Sequence, residues 1–261
     1  MHEQNLGETL AQGRETRIHL CGRLTARLGG ERVEGALPGR QGRILFAYLA
    51  AHRMQTVPRD ELLNVLWPDE APAAAEGALA ALLAKLRKLL GAPALVGKHE
   101  IRLLLPAGAW VDVEAAADGL HRGESAAALK DWARAWGPAR VALHIAARRF
   151  MPGYDAPWIT DARRRMDEML LRAHECVAES GLGMGGAEMA AAERSARRLI
   201  ELAPLRESGY RLLMRALAAR DNTGEALMVY EELRRVLRKE LGIAPGAASQ
   251  QLHRSLLKTE P

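Results

Sequence analysis

Three cations crowd one short stretch, Lys85-Leu86-Arg87-Lys88, and two more follow at Lys98 and Arg102. Ammonium and guanidinium groups clustered in this way can neutralise phosphate oxygens, the contact that supplies most of a protein's sequence-independent grip on a polynucleotide. Between residues 77 and 102 these five cations face a single acid, Glu100, a local balance of +4 (five minus one) in a chain whose overall charge is only +5. Charge concentrated in one place is what an electrostatic footprint requires. Lysine and arginine also favour the negative end of any helix, so the surrounding elements decide what the cluster does.

Those elements can be read from periodicity. Leu79, Leu83, Leu86 and Leu90 recur at three- and four-residue steps, which predicts a helix over Ala73 to Leu90 with one buried face. Gly91 and Pro93 stop it. Ala94 to Leu105 reads as strand, small turn with Lys98 and His99, and second strand with Arg102. Upstream, Ile44, Leu45, Tyr48 and Leu49 mark a helix over Gly39 to Ala51, followed by a turn from Met54 to Pro58 and a second helix from Arg59 to Leu66. Trp67-Pro68 ends that helix, because the residue before proline is pushed out of helical geometry. Two short helices, a longer basic helix and a basic hairpin make the plan of a winged helix-turn-helix, which points to DNA.

The fold class expected is mainly α: a winged helix-turn-helix with a small β-sheet and wing, then an all-α tetratricopeptide-like domain. Hydrophobic residues make up 48% and aromatics only 4%, so Leu and Ala fill the interior, as in stacked helices. Residues 1–15 read as a flexible lead, 16–110 as the winged helix with an antiparallel sheet over Thr16 to Glu34, and 111–261 as helices. Those helices are predicted at 113–120, 125–136, 139–150, 157–180, 187–203, 207–220, 224–240 and 247–258, with breaks at Gly137-Pro138 and from Gly181 to Gly186 among others. Ala192 to Leu202 and Ala226 to Leu237 repeat a small-then-large apolar pattern, which suits tetratricopeptide-type helix pairs; a plain helical bundle fits the periodicity equally. Trp158, Leu213 and Tyr230 are expected to be packing residues.

Other motifs fail. From Gly91 to Gly97-Lys98-His99, five residues separate the glycines where a phosphate loop needs four, and His99 stands where Ser or Thr must hold magnesium. No strand leads into the glycines at 181, 183, 185 and 186, so they read as a flexible inter-helix loop. His174 and Cys176 are two apart and point to different faces of one helix. Cys21 and Cys176 have no metal-ligand spacing and suit a reducing compartment. No catalytic constellation, cofactor or metal is expected. With no apolar signal core and no stretch of membrane-spanning length, the expectation is a cytoplasmic protein with no membrane partner.

The chain resembles the SARP-type bacterial activators, which join an OmpR-type winged helix to a bacterial transcriptional activation domain, over roughly 17–258. The first half of the match rests on Gly39-Arg40-Gln41-Gly42-Arg43, Arg59-Asp60-Glu61-Leu62, Leu66-Trp67-Pro68-Asp69, Leu86-Arg87-Lys88 and Ala109-Trp110-Val111-Asp112. The second rests on Met151-Pro152-Gly153-Tyr154-Asp155-Ala156-Pro157-Trp158, Pro204-Leu205-Arg206-Glu207, Leu212-Leu213-Met214-Arg215-Ala216-Leu217, Glu225-Ala226-Leu227, Tyr230-Glu231 and Glu240-Leu241-Gly242-Ile243-Ala244-Pro245. The resemblance implies a transcription factor that binds direct repeats in double-stranded promoter DNA, often as a homodimer, and contacts RNA polymerase. A small-molecule or protein effector on the helical domain is a further candidate partner. The candidate DNA-binding residues are Lys85, Arg87, Lys88, Lys98, Arg102, Arg40 and Arg43. One departure stands out. Relatives carry polar side chains on the groove-facing side of the reading helix, where this chain has Ala74, Gly77, Ala80, Ala81, Leu82 and Ala84. The alternative reading is therefore a helical adaptor for a protein or ligand, with a degenerate winged helix.

Overall fold

The computed structural model describes residues 15–91 and 93–258. The expected lead, apart from Glu15, lies outside them. Alternation at the start of the chain builds β1 (Arg17–His19), β2 (Thr25–Leu28) and β3 (Glu31–Arg32) as an antiparallel ladder, with Ile18 and Ala26 wholly buried on one face. The helix-turn-helix comes next: α1 (Gly39–Ala51), a short strand β4 (Val57–Pro58), α2 (Arg59–Leu66) and α3 (Ala75–Leu90). The hairpin β5 (Leu95–Val96) and β6 (Glu100–Leu103) then pairs with β4 in a three-stranded sheet, and β7 (Trp110–Val111) runs parallel to β1. The turn from Met54 to Pro58 thus ends in a strand, because the apolar Val57 finds Ile101 opposite it.

One buried carboxylate ties the end of β1 to the chain just past β7. Asp112 is wholly buried and accepts the backbone N–H groups of Leu20 (2.9 Å) and Cys21 (2.9 Å). Burial pushes its carboxyl up, against the opposite pull of those two donors and of His19. On the other side of the same strand end, Met151 N–H donates to Leu20 carbonyl (2.8 Å) and Gly22 N–H to Arg149 carbonyl (2.8 Å). Arg163 arranges that returning segment by donating to the carbonyls of Phe150 (3.1 Å), Met151 (2.9 Å) and Tyr154 (2.7 Å). The half-buried Trp158 packs edge-on against Tyr48 and Phe150, a packing role as expected. Residues 145–166 accordingly fold with the first of two compact units, which otherwise runs to Ala116; the second comprises 117–144 and the chain from Asp167 onward.

The helices are α4 (Asp112–Ala128), α5 (Trp132–Ala146), α6 (Pro157–Met184), α7 (Met189–Leu202), α8 (Glu207–Ala218), α9 (Thr223–Leu241) and α10 (Ala247–Leu257). Successive helices from α7 to α10 pack on one another around Leu199, Tyr210, Leu213, Leu217, Tyr230 and Leu233. Leu213 and Tyr230 are packing residues as expected, and Tyr230 also stacks on His253 at 3.9 Å.

Two expected breaks are absent. The three helices expected over 113–150 are two, divided at Leu129 to Asp131, where Lys130 takes a left-handed conformation. Gly137-Pro138 lies inside α5, whose buried Ala135, Ala139 and Ala142 hold it in place. Nor is the glycine-rich segment a loop up to 184. Gly181 and Gly183 are helical, and a Cβ on Gly183 would stand 2.4 Å from the Trp132 ring. These glycines are close-approach sites for an aromatic neighbour, which periodicity alone reads as breaks.

Replacing Asp112 by Ala orphans two buried donors, so we expect a loss of about 2–4 kcal/mol, read as a lowered midpoint in urea unfolding. His174 is 8% exposed and its Nδ1 has no hydrogen-bond partner among the described residues; burial, helped by the Arg198 charge, lowers its pKa to about 4. Folded-state pKa therefore lies below the unfolded value of 6.5, so the folded form holds fewer protons in that window and stability falls as pH drops from about 6.5 towards 4. Thermal melts at pH 7, 6 and 5 should show this, and H174Q should flatten the trend.

Candidate nucleic-acid interface

Helix α3 owes its orientation to leucine. Leu79, Leu83 and Leu86 are completely buried, so the positions between them turn outwards. Gly77, Ala80, Ala81 and Ala84 are exposed along this outer side, and Lys85 and Lys88 continue it with exposed ammonium groups. Leu82, expected with the outward set, is half-buried: three residues beyond Leu79 and four before Leu86, it flanks the buried stripe. At the other end, Arg59 donates to Glu76 (2.7 Å), tying the start of α2 to the first turn of α3.

The wing is fastened to α3 through Arg87. This side chain runs back against the hairpin, donating Nε to Leu95 carbonyl (3.2 Å) and Nη2 to Gly97 carbonyl (2.7 Å). Its donors thus hold backbone, with no carboxylate partner among the described residues. In the wing Leu95 faces Leu103 and Val96 faces Arg102, and the turn presents Lys98, His99 and Glu100 to solvent. Gly97 is required there: its φ is +93°, and a Cβ would lie 1.7 Å from the Glu100 carbonyl oxygen. The wing base is held as well, since Arg59 N–H donates to His99 carbonyl (3.0 Å) and Arg102 Nε to Arg53 carbonyl (3.2 Å). Arg53 in turn makes a two-pronged pair with Glu114 (2.7 Å each).

The candidate cations therefore divide. Lys85, Lys88 and Lys98 are exposed, and Arg43 is half-buried; none pairs with a carboxylate among the described residues. Arg87 and Arg102 give donors to backbone carbonyls around the wing. Arg40 donates to Gly153 carbonyl (2.9 Å) and lies 5.1 Å from the Tyr154 ring centroid. Sequence reasoning missed Asp112, Arg53, Arg59 and Arg163, the groups that hold this frame together. Two of them carried a signal, Asp112 as the last residue of Ala109-Trp110-Val111-Asp112 and Arg59 as the first of Arg59-Asp60-Glu61-Leu62. No group of metal-ligating side chains occurs among the described residues. Among the same residues, no helix is long and apolar enough to cross a membrane.

A basic helix clamped to a β-hairpin, with packed helix pairs further along the chain, is the arrangement of a winged helix followed by a helical region. Residues 111–257 match the bacterial transcriptional activator domain family. The chain belongs to that family, and it resembles the SARP-type regulators. It is 32% identical over 248 residues to regulatory protein AfsR of Streptomyces coelicolor, covering 94% of this chain and 24% of that protein. Regulatory protein DnrI of Streptomyces peucetius is 27% identical, with 94% and 93% covered. Transcriptional regulatory protein EmbR of Mycobacterium tuberculosis is also 27% identical, with 93% and 63% covered. The chain thus spans about a quarter of the AfsR proteins it matches. The structure of Mycobacterium tuberculosis EmbR in complex with a low-affinity phosphopeptide superimposes with a TM-score of 0.83 at 24% identity, over 95% of this chain and 66% of that one, and confirms the fold.

Substituting Gly97 by Ala forces the wing turn out of its positive-φ geometry, at a cost of roughly 1–3 kcal/mol. The expected signature is a lowered unfolding midpoint together with reduced protection of the β5–β6 amides in hydrogen exchange.

Proposed function

We propose that this protein regulates transcription by binding double-stranded promoter DNA through α3 and the wing. The observation that carries the reading is the set of exposed cations Lys85, Lys88 and Lys98, which pair with no carboxylate among the described residues, around a clamped helix–wing frame. The three lysines grip phosphates, joined by Arg43 from α1. Arg87 and Arg102 act by holding the wing at its distance from α3, and Arg40 by anchoring α1 to the 153–154 turn. The DNA-contacting part is residues 16–110, and residues 111–261 are the helical activation part.

Sequence preference then comes from an unusual source. A face of Gly77, Ala80, Ala81 and Ala84 offers methyl groups and no hydrogen-bonding side chain, so it favours thymine methyls and leaves the rest to wing contacts and DNA shape. A cluster that had drifted out of use would be expected to lose its charges or pair them internally. That consideration favours a DNA-binding regulator over an adaptor with a degenerate winged helix. The helical part serves contacts with RNA polymerase, a second copy of the chain or a small-molecule or protein effector, and the protein works in the cytoplasm without catalysis.

The test is retention of a duplex from the protein's own upstream region against a scrambled duplex, at two or more salt concentrations. Replacing Lys85 and Lys88 by Ala should lower the slope of log affinity against log salt by about 0.9 for each phosphate no longer neutralised. An unchanged slope removes them from the interface, and failure to retain either duplex overturns the reading.

A further inference from the structure

The sheet at the start of the chain carries a row of like charges that the nucleic-acid reading does not use. Arg17 stands directly opposite Arg27, and Arg27 directly opposite Arg32. On the far side of Arg17 the parallel strand β7 brings Trp110 into the same row. Strand alternation sends Ile18 and Ala26 inwards, so this row faces out: the three arginines are exposed and Trp110 is half-buried.

Like charges directly opposite on a sheet repel and destabilise it. One end of the row is discharged within the chain, since Arg32 Nε donates to Glu34 at 2.7 Å. Arg17 and Arg27 have no carboxylate partner among the described residues. Their setting is ordered nonetheless. The Arg17 guanidinium lies 6.0 Å from the Trp110 ring centroid, and the His19 ring packs on the same indole at 4.8 Å. Trp and Arg held in this way are the residue types that anchor protein–protein interfaces.

The spacing narrows the occupant. Neighbouring rungs of a sheet are about 5 Å apart, close to the roughly 5–6 Å between side chains one turn apart on a helix. We propose that this sheet face docks an acidic helix of a partner protein, which lays an apolar residue on Trp110 and carboxylates, one and two turns further along, on Arg17 and Arg27. A duplex backbone would supply anions but nothing apolar to cover the indole, so a polynucleotide is the poorer fit.

The test uses the full chain and two fluorescein-labelled peptides, read by fluorescence anisotropy at low ionic strength. One is an alanine-based helix with a leucine and two glutamates at successive four-residue steps; the other has the same composition in shuffled order. The ordered peptide should bind about tenfold tighter than the shuffled one. R17Q combined with R27Q should weaken it by about tenfold, and K85A combined with K88A should leave it unchanged. The Arg27 side chain forms no hydrogen bond or ion pair among the described residues, so R27Q alone keeps the test open should the double variant misfold, and it should weaken binding severalfold. Equal binding of the two peptides, or undiminished binding by the arginine variants, overturns the proposal. Arginine variants that stop retaining duplex while still binding the peptide assign the face to nucleic acid instead.

Discussion

Burial of three leucines on α3 is the constraint on which the candidate interface depends. With Leu79, Leu83 and Leu86 withdrawn from solvent, the helix has only one rotation about its axis, and that rotation turns Lys85 and Lys88 outwards. Burying an apolar side chain of this size contributes roughly 1.5–3 kcal/mol, more than any surface charge pair could recover by turning the helix. Hydrophobic packing thus sets where the charge points, and electrostatics acts only afterwards. Arg87 then converts the helix and the wing into one frame through two backbone carbonyls. A lysine there could reach one carbonyl but lacks the planar fork that spans two.

A comparable device operates in the sheet, where one buried carboxylate replaces a missing strand neighbour. Leu20 and Cys21 would leave amide groups unsatisfied past the end of β1, and Asp112 accepts both. Because Met151 and Gly22 extend the ladder on the other side, the segment from 145 to 166 packs with the first unit although the family match spans it with the helices. The motif around Pro152-Gly153-Tyr154 is in this light a packing element: Arg163 gathers its carbonyls, and Met151 and Gly153 take positive φ to make the turn.

Where periodicity is strong, the chain's pattern and the fold agree. The bounds of α1 and α2 coincide with the expected 39–51 and 59–66, and the end of α3 and the basic hairpin fall where Gly91 and the Lys98 turn place them. The disagreements cluster at glycine and proline. Gly123 has a Cys176 sulfur 3.2 Å from where its Cβ would be, Gly183 has the Trp132 ring, and Gly137-Pro138 continues a helix. Each residue looks like a break locally, and each is overruled by packing against neighbours distant in the chain.

Among the candidate cations, the residue types and their clustering were legible in the chain, because charge density and apolar spacing are local properties. Their division of labour was not. Whether a guanidinium meets a carboxylate, a backbone carbonyl or solvent depends on residues brought near by folding, as Arg87 meets Leu95 and Gly97, Arg102 meets Arg53, and Arg40 meets Gly153. The row of Arg17, Arg27 and Arg32 illustrates the same limit, since three arginines spread over sixteen residues become neighbours only through strand register. The sequence alone thus determined element type, the basic cluster and the family. Tertiary structure decided which charges stay free, because hydrogen bonding and burial are settled between segments and not within them.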